Sequence, residues 1–211
     1  MTIPTPPDWR LEHTLWQRGY GVLAGVDEAG RGALAGPVVA AAVVLPRGDH
    51  PFRDSKTLSP AARETLAEEV RRRALAWAVG CASASEVDRL NVLQATHLAA
   101  QRALCALAGR VAVDGLVTDF LKLPFPGPVL AVPKADATSV QVAAASLLAK
   151  TVRDALMRRL GERYPAYGFA RHKGYGSSTH LRALAAHGPC PEHRRSFGPV
   201  QRCLTPAAKR G

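Results

Sequence analysis

Residues 38–45 constrain the fold more than any other stretch, because this run consists only of Val, Ala and Leu. Prolines stand on both sides of it, and an apolar run of this length between turn residues is typical of a buried strand. A second apolar segment, residues 22–26, leads directly into Asp27 and Glu28. The sequence therefore predicts a strand–turn–strand unit with two adjacent carboxylates where the first strand ends.

The turn of this unit contains Gly30, Arg31 and Gly32, a pattern similar to the glycine loops that bind dinucleotide phosphates. Those loops open a helix whose N-terminus holds the phosphate. Here a strand follows, and the sequence has no Gly-Lys-Ser/Thr triplet. The glycine turn is therefore not predicted to bind a nucleotide in that way.

The adjacent acids Asp27 and Glu28 need an explanation of their own. Asp is depleted in strands, and two neighbouring like charges repel each other unless a cation neutralises them. This favours a metal site over the simpler alternative of a solvated polar hairpin.

Two further acids stand near predicted strand ends. Residues 111–115 are predicted to form a short buried strand that ends at Asp114, followed by an irregular, Pro-rich loop over residues 116–128. Asp136 follows the last predicted strand, residues 129–133. Each of these acids alone could be an ordinary turn residue, but α/β sheets place their sites at the carboxyl ends of strands. Four acids are thus predicted to converge: Asp27, Glu28, Asp114 and Asp136.

This set of donors indicates a particular chemistry. Carboxylate oxygens without neighbouring His or Cys select Mg²⁺ or Mn²⁺ over zinc. Two such ions roughly 4 Å apart can clamp the attacking and leaving oxygens of a phosphodiester. Metal-assisted phosphodiester hydrolysis is therefore the favoured reaction.

The positive charge of the chain is concentrated in its last third. The net charge is +11, and residues 150–211 hold 13 Lys and Arg against 3 Asp and Glu, compared with 15 against 14 in residues 1–149. This distribution suits a polyanionic partner such as nucleic acid, although a basic tail that only adds solubility is the simpler alternative. No apolar run approaches the roughly 20 residues of a membrane span, and residues 1–10 lack the apolar core of a signal peptide. We therefore expect a cytoplasmic protein without membrane association, and a monomer.

The predicted elements are three strands followed by helices that alternate with two short strands. This order is typical of an α/β domain built on a mixed five-stranded sheet, with strands 1–3 antiparallel and the later strands added in parallel. We expect a catalytic domain over residues 1–160 and a basic helical C-terminal region over residues 161–211 that packs on it.

Residues 25–32, Gly-Val-Asp-Glu-Ala-Gly-Arg-Gly, resemble the signature of the type 2 ribonucleases H, specifically the bacterial ribonuclease HII family. The similarity covers almost the whole chain. Further blocks match the family in the same order: Asp54-Ser55-Lys56, Asp88-Arg89-Leu90-Asn91, Val113-Asp114-Gly115, and residues 143–150, 172–176 and 193–197. Each block alone is weak evidence for the family, but all of them together in this order are specific to it.

The resemblance implies a ribonuclease H-like fold and an endonuclease. Such an enzyme cuts the RNA strand of RNA–DNA hybrids and nicks duplex DNA on the 5′ side of an embedded ribonucleotide, leaving 5′-phosphate and 3′-hydroxyl ends. The four acids named above match the family's metal-binding acids, which hold two Mn²⁺ or Mg²⁺ ions during catalysis.

The resemblance also implies the substrate contacts. Gly30, Arg31 and Gly32 match a loop that recognises the 2′-hydroxyl, the group that distinguishes RNA from DNA. Lys56 matches a lysine near the phosphates. Tyr175 matches a tyrosine that stacks on the sugar of the following deoxynucleotide, with an ordinary core tyrosine as the alternative.

A few residues depart from the family pattern. Ala33 stands where the family usually has Pro, and Leu116 where Asn is frequent. Asp154 is interpreted as a structural or supporting acid rather than a metal ligand. Two other functions stay open: a non-catalytic nucleic-acid-binding protein, and another ribonuclease H-like nuclease such as a resolvase or an exonuclease.

Overall fold

A mixed five-stranded sheet runs through the centre of the computed structural model, which describes residues 6–53 and 55–204. Asp54, quoted in one of the motifs above, lies outside the described residues. The strands are β1 (Leu23–Ala29), β2 (Val38–Val44), β3 (Ala76–Ala82), β4 (Gly115–Asp119) and β5 (Val129–Val132), in the order β3-β2-β1-β4-β5. β2 is antiparallel to β1 and β3, whereas β4 is parallel to β1 and β5. The mixed sheet predicted from the sequence is therefore confirmed.

Helices cover both faces of the sheet. They are α1 (Arg10–Trp16), α2 (Pro60–Arg73), α3 (Ala84–Leu90), α4 (Val92–Ala108), α5 (Val140–Arg163), α6 (Phe169–His172), α7 (Ser178–His187) and α8 (Gly198–Leu204). Every residue of β2 is buried, because α4 packs on one face of the strand and α5 on the other. The small Val and Ala side chains of this strand suit a position between two helices.

Helix α5 begins directly against β1. A Cβ at Gly25 would lie 2.3 Å from the carbonyl carbon of Gln141, so only glycine lets the helix start so close to the strand. Side chains alternate along a strand, and Asp27 therefore faces α5 as Gly25 does. This packing brings Ser146 of α5 within hydrogen-bond distance of Asp27.

The fourth strand differs from the prediction. Residues 111–114 are not a strand, and β4 instead occupies the first part of the predicted loop. Three of its residues, 116–118, are fully buried, and the Thr118 hydroxyl is satisfied by the carbonyl oxygen of Leu121 (2.7 Å). Residues 111–113 and 115–118 could each have formed the strand, and pairing with β1 selects residues 115–118. The strand therefore begins at Gly115, where the predicted strand ended.

The loops between the C-terminal helices are hydrogen-bonded to the glycine turn after β1. The backbone N–H of Leu34 donates to the carbonyl oxygen of Gly174 (2.8 Å), and that of Arg194 donates to the carbonyl oxygen of Leu34 (2.8 Å). Helix α5 runs through the proposed domain boundary at residue 160, and the division into two regions stays a prediction. None of the helices in the described part of the chain has both the length and the apolar character needed to cross a membrane.

Candidate active site

The carboxyl ends of β1, β4 and β5 bring acids to one edge of the sheet. In the parallel ladder, the residues that precede Asp27 and Asp119 are paired, so these two acids come next on neighbouring strands. β5 ends opposite Asp119, and the short 3₁₀ helix that follows it carries Asp136. Together with Glu28, the neighbour of Asp27, the edge therefore carries four carboxylates.

Asp114 does not belong to this group, because it lies at the opposite end of β4. Its Oδ2 accepts hydrogen bonds from the backbone N–H groups of Gly21 (3.0 Å) and Val22 (2.8 Å), just before β1. The prediction that Asp114 converges with the other acids is wrong, and Asp119 stands in that place. A sequence signal for Asp119 exists, since it closes the buried run 115–118.

Asp27 is buried, and its ionisation is therefore costly. Its pKa is raised well above the usual value, first by desolvation, next by the charge of Glu28 and less strongly by that of Asp136. The backbone N–H of Glu28 donates to Oδ1 of Asp27 (2.8 Å), and the Ser146 hydroxyl donates to the same carboxylate. Ser146 is hydrogen-bonded in turn to the hydroxyl of Ser55 (2.8 Å). These contacts hold the Asp27 carboxylate in one orientation.

Glu28 has one satisfied and one unsatisfied oxygen. Arg31 Nη1 donates to Oε1 (3.0 Å), whereas Oε2 is buried and lacks a hydrogen-bond partner among the residues described. Burial raises the pKa of Glu28 against the opposing effect of Arg31, and the charge of Asp119 raises it further. A buried acceptor without a donor is unfavourable, so this oxygen marks a place where a cation would be stabilising.

Lys56 brings a positive charge to the same edge. Its Nζ lies 2.6 Å from Oδ2 of the buried Asp136, although 71% of the Lys56 side chain is exposed. The pKa of Asp119 is raised by burial and then by the charge of Asp136, and Lys56 opposes this rise at Asp119 and at Glu28. The ammonium group thus acts electrostatically on three of the four acids.

Asp154 lies apart from these acids in its contacts. Its two carboxylate oxygens pair with Lys150 (2.6 Å) and with Arg63 (3.6 Å). The Lys150 pair lies within α5, whereas the Arg63 pair joins α2 to α5; both agree with the interpretation of Asp154 as a structural acid.

Two buried arginines, Arg153 and Arg194, stabilise the turn that contains Gly30, Arg31 and Gly32. Neither of them was assigned a role from the sequence. Gly30 has φ +98°, and a Cβ there would lie 1.9 Å from Nε of Arg153. Arg153 and Arg194 together donate to the carbonyl oxygens of residues 35–37, and Arg194 also donates to that of Arg31 (2.8 Å). No local pattern marks these arginines, because only folding brings them to the turn.

Tyr175 stands beside this turn. The guanidinium carbon of Arg153 lies 5.2 Å from the centre of the Tyr175 ring, and the preceding residue is hydrogen-bonded to Leu34 of the turn. Tyr175 is 38% exposed, which is more than a core tyrosine shows. Tyr175 is therefore available to a ligand that lies on the turn.

Two buried histidines fix the backbone of Tyr175. The N–H of Cys190 donates to Nδ1 of His193 (3.0 Å), so the proton of His193 is on Nε2 and is donated to Nε2 of His180 (3.1 Å). His180 then carries its proton on Nδ1, which donates to the carbonyl oxygen of Tyr175 (2.9 Å). These hydrogen bonds fix the position of the Tyr175 backbone beside the turn.

Comparison with known proteins identifies the family of this chain. The family model described as Ribonuclease HII matches residues 24–200. A ribonuclease HII from Thermus thermophilus is 60% identical over 190 residues, covering 90% of this chain and 92% of that protein. The chain belongs to the ribonuclease HII family.

Solved structures of relatives show the same fold as this ribonuclease HII. The ribonuclease H2 from Pyrococcus horikoshii OT3 superposes with a TM-score of 0.70 at 26% identity, covering 87% of this chain and 97% of that one. The RNase HII from Archaeoglobus fulgidus, solved in a complex with PCNA, gives a TM-score of 0.69 at 27% identity, with the same coverage. The predicted ribonuclease H-like fold is confirmed, and the protein is a hydrolase that cleaves RNA in RNA–DNA hybrids. The alternative of a non-catalytic binding protein is thereby excluded.

The acids of this ribonuclease HII suit a divalent metal, on which the ribonuclease H family depends. Within residues 6–53 and 55–204, no three His, Cys, Asp or Glu side chains are already arranged so that they could hold an ion. Arg31 and Lys56 instead engage two of the carboxylates. The donor set nevertheless fits Mg²⁺ or Mn²⁺, because all four groups are carboxylates and one buried oxygen of Glu28 lacks a donor among the described residues.

Proposed function

We propose that this ribonuclease HII is an endonuclease that, besides cutting hybrids, nicks duplex DNA on the 5′ side of an embedded ribonucleotide and leaves 5′-phosphate and 3′-hydroxyl ends. The main support is that hydrogen bonds connect the acids to the glycine turn, and the turn to the residue before Tyr175. Arg31 of the turn donates to Glu28 (3.0 Å), and the other end of the turn is hydrogen-bonded to Gly174. Hydrogen bonds therefore link the acids, the glycine turn and the segment that carries Tyr175.

Asp27, Glu28, Asp119 and Asp136 would hold two Mn²⁺ or Mg²⁺ ions, with Asp119 in place of the Asp114 suggested by the sequence. When bound, such ions neutralise charge on the attacking and leaving oxygens of a phosphodiester. The raised pKa values of three of these acids support this assignment, because clustered carboxylates with perturbed pKa values are typical of functional sites. The orientation of Asp27 is held by Ser146 and by the backbone of Glu28.

Lys56 would donate to a phosphate of the substrate. Its side chain is long and mostly exposed, and an ammonium group is a strong donor to phosphate oxygens. Asp136 is buried, so the Lys56 ammonium group can leave it at small cost only when another cation neutralises that carboxylate.

Gly32 would allow the ribose to approach the backbone of the turn. A Cβ at this position would meet no protein atom within 4 Å, so packing within the described part of the chain does not require glycine there. A backbone without a side chain lets N–H and C=O groups reach a 2′-hydroxyl, which both donates and accepts. The exposed Arg31 side chain can add a phosphate contact.

Tyr175 would pack on the sugar of the deoxynucleotide that follows the ribonucleotide. Its ring is partly exposed, and its backbone is fixed by His180. Because the Tyr175 backbone is fixed and its ring contacts Arg153, the residue loses little entropy when it binds a ligand. This suits a residue that senses the RNA-to-DNA junction.

The test is cleavage of three end-labelled duplexes that share one sequence: all DNA, RNA–DNA hybrid, and DNA with a single ribonucleotide. We expect cleavage of the hybrid, one nick 5′ to the single ribonucleotide, and no cleavage of all-DNA duplex, in Mg²⁺ or Mn²⁺ but not in EDTA. Cleavage of the hybrid alone would leave the family activity intact and refute the proposed nicking at single ribonucleotides. Equal cleavage of all-DNA duplex would indicate a resolvase-like or exonuclease-like enzyme instead.

A further inference from the structure

Phe120 directly follows Asp119 and is the most exposed large hydrophobic residue in the described part of the chain, at 69%. None of the hydrophobic clusters of residues 6–53 and 55–204 includes it. Within the same residues, its ring makes no aromatic or cation–π contact. The ring therefore adds nothing to the core, although it stands next to an acid of the site.

The backbone of Phe120 is also unusual. Its φ is +59°, in the left-handed region that residues with a Cβ seldom adopt. The conformation is fixed by the sheet, because the Phe120 N–H donates to the carbonyl oxygens of Thr118 (3.1 Å) and Val132 (3.2 Å). The ends of β4 and β5 thus hold an exposed aromatic residue in a strained conformation.

Both features are unfavourable for the isolated protein. Left-handed backbone strain is tolerated mainly where surrounding structure enforces it, and such residues cluster at functional sites. Exposed aromatic side chains are similarly enriched where a ligand covers them. At position 120 both features occur in one residue, within one position of a proposed metal ligand.

We propose that Phe120 packs its ring against a nucleoside of the substrate duplex next to the scissile phosphate, as a second aromatic contact beside that of Tyr175. This inference rests on the proposed substrate site. A phenyl ring gains nothing from a phosphate, whereas bases and sugars present apolar faces. The minor groove of an A-form-like duplex is wide and shallow, and phenylalanine side chains are among the apolar groups that enter minor grooves.

The decisive variant is Phe120→Gly, because it removes the ring and relieves the backbone strain together. We expect the Tm to be unchanged or raised by up to about 3 °C. Duplex binding should weaken about tenfold, measured as Kd by fluorescence anisotropy in EDTA, with a matching rise in KM and a kcat within about threefold of the wild type. Phe120→Trp keeps an aromatic surface and should bind within about threefold of the wild type.

Leu75→Ala is the matched control for Phe120→Ala. Leu75 is 67% exposed and donates its N–H to Val44 (2.9 Å) at the opposite edge of the sheet. If exposed apolar area alone assisted binding, both alanine variants would weaken it equally. We expect only Phe120→Ala to do so.

Abasic nucleotides placed one at a time beside the ribonucleotide locate the contact. A base contact predicts that the penalty of Phe120→Gly disappears at one abasic position, and a sugar contact predicts that it persists at all of them; either result supports the proposal. A Phe120→Gly variant that binds as tightly as the wild type, or that has a lower Tm, overturns it. Failure of the wild type to nick the ribonucleotide duplex would instead refute the proposed function.

Discussion

Lys56 and Asp136, which are 80 residues apart in the sequence, form an ion pair of 2.6 Å at the edge of the sheet that carries the other three acids. The lysine thus neutralises one of the carboxylates proposed to hold a cation. Because the same ammonium group opposes the rise in the pKa of Glu28 and of Asp119, it acts on most of the cluster. As a donor to substrate phosphate, Lys56 would therefore also compete with a metal ion for Asp136.

Lys56→Ala should have two effects of opposite sign. Without the competing ammonium group, the Mg²⁺ concentration for half-maximal activity should fall about threefold. The KM for a hybrid substrate should rise about tenfold, because a charge-assisted phosphate contact is lost. Activity titrations over Mg²⁺ and over substrate measure both. Arg73→Ala removes another exposed, ion-paired cation and should change neither.

Asp119→Asn and Asp114→Asn form a matched pair, since the two acids lie at opposite ends of β4. Asp119→Asn should lower kcat about a hundredfold or more by weakening the metal site. Asp114→Asn should keep wild-type activity but cost about 1–2 kcal/mol of stability, because Asp114 accepts two backbone hydrogen bonds. Steady-state kinetics and urea unfolding measure the two effects. Loss of activity in Asp114→Asn with retained stability would contradict the assignment.

Gly32→Ala and Gly30→Ala should separate function from folding. At Gly32 a Cβ would meet no atom of the described residues within 4 Å, so the Tm should hardly change while nicking of a ribonucleotide duplex falls about tenfold or more. At Gly30 the Cβ would collide with Arg153, and φ is +98°; the Tm should therefore drop by several degrees, roughly 5 °C. Thermal melts and nicking rates make the comparison. Full activity of Gly32→Ala would count against the turn as the 2′-hydroxyl reader.

Glu12 gives the protein a pH dependence that the site does not explain. This residue of α1 is buried, its Oε1 accepts from the Ser139 hydroxyl (2.5 Å), and Ser139 caps α5 through Val142. Burial raises its pKa from 4.5 to about 7. Between these values the folded state binds more protons than the unfolded chain, so the free energy of unfolding falls as pH rises from about 4.5 to about 7 and is level above that range.

Glu12→Gln should remove this dependence. Relative to the wild type, the variant should gain up to about 3 kcal/mol on going from pH 4.5 to pH 8, because the glutamine is never ionised. Urea unfolding of both proteins across this range isolates the effect, since other titrating groups are common to both. Parallel pH profiles would show that Glu12 does not titrate in this window.

Much of the sheet and part of the site follow from sequence alone. The run of Val, Ala and Leu between two prolines is typical of a buried strand, and the turn before it sets β1 and β2 antiparallel. Asp27, Glu28 and Asp136 could be located because each follows or ends an apolar run that is unambiguous.

The tertiary structure alone decided which acid of β4 faces the site. Residues 111–113 and 116–118 are both short apolar runs, and each is followed by an aspartate, so local periodicity cannot rank them. Pairing with β1 selects the second run, which places Asp119 at the carboxyl edge and leaves Asp114 to anchor the opposite end. The role of Arg153 and Arg194 could not be predicted from the neighbouring sequence either. Their partners are backbone carbonyls of the distant glycine turn, and contacts with a backbone leave no mark in the residue types of either segment.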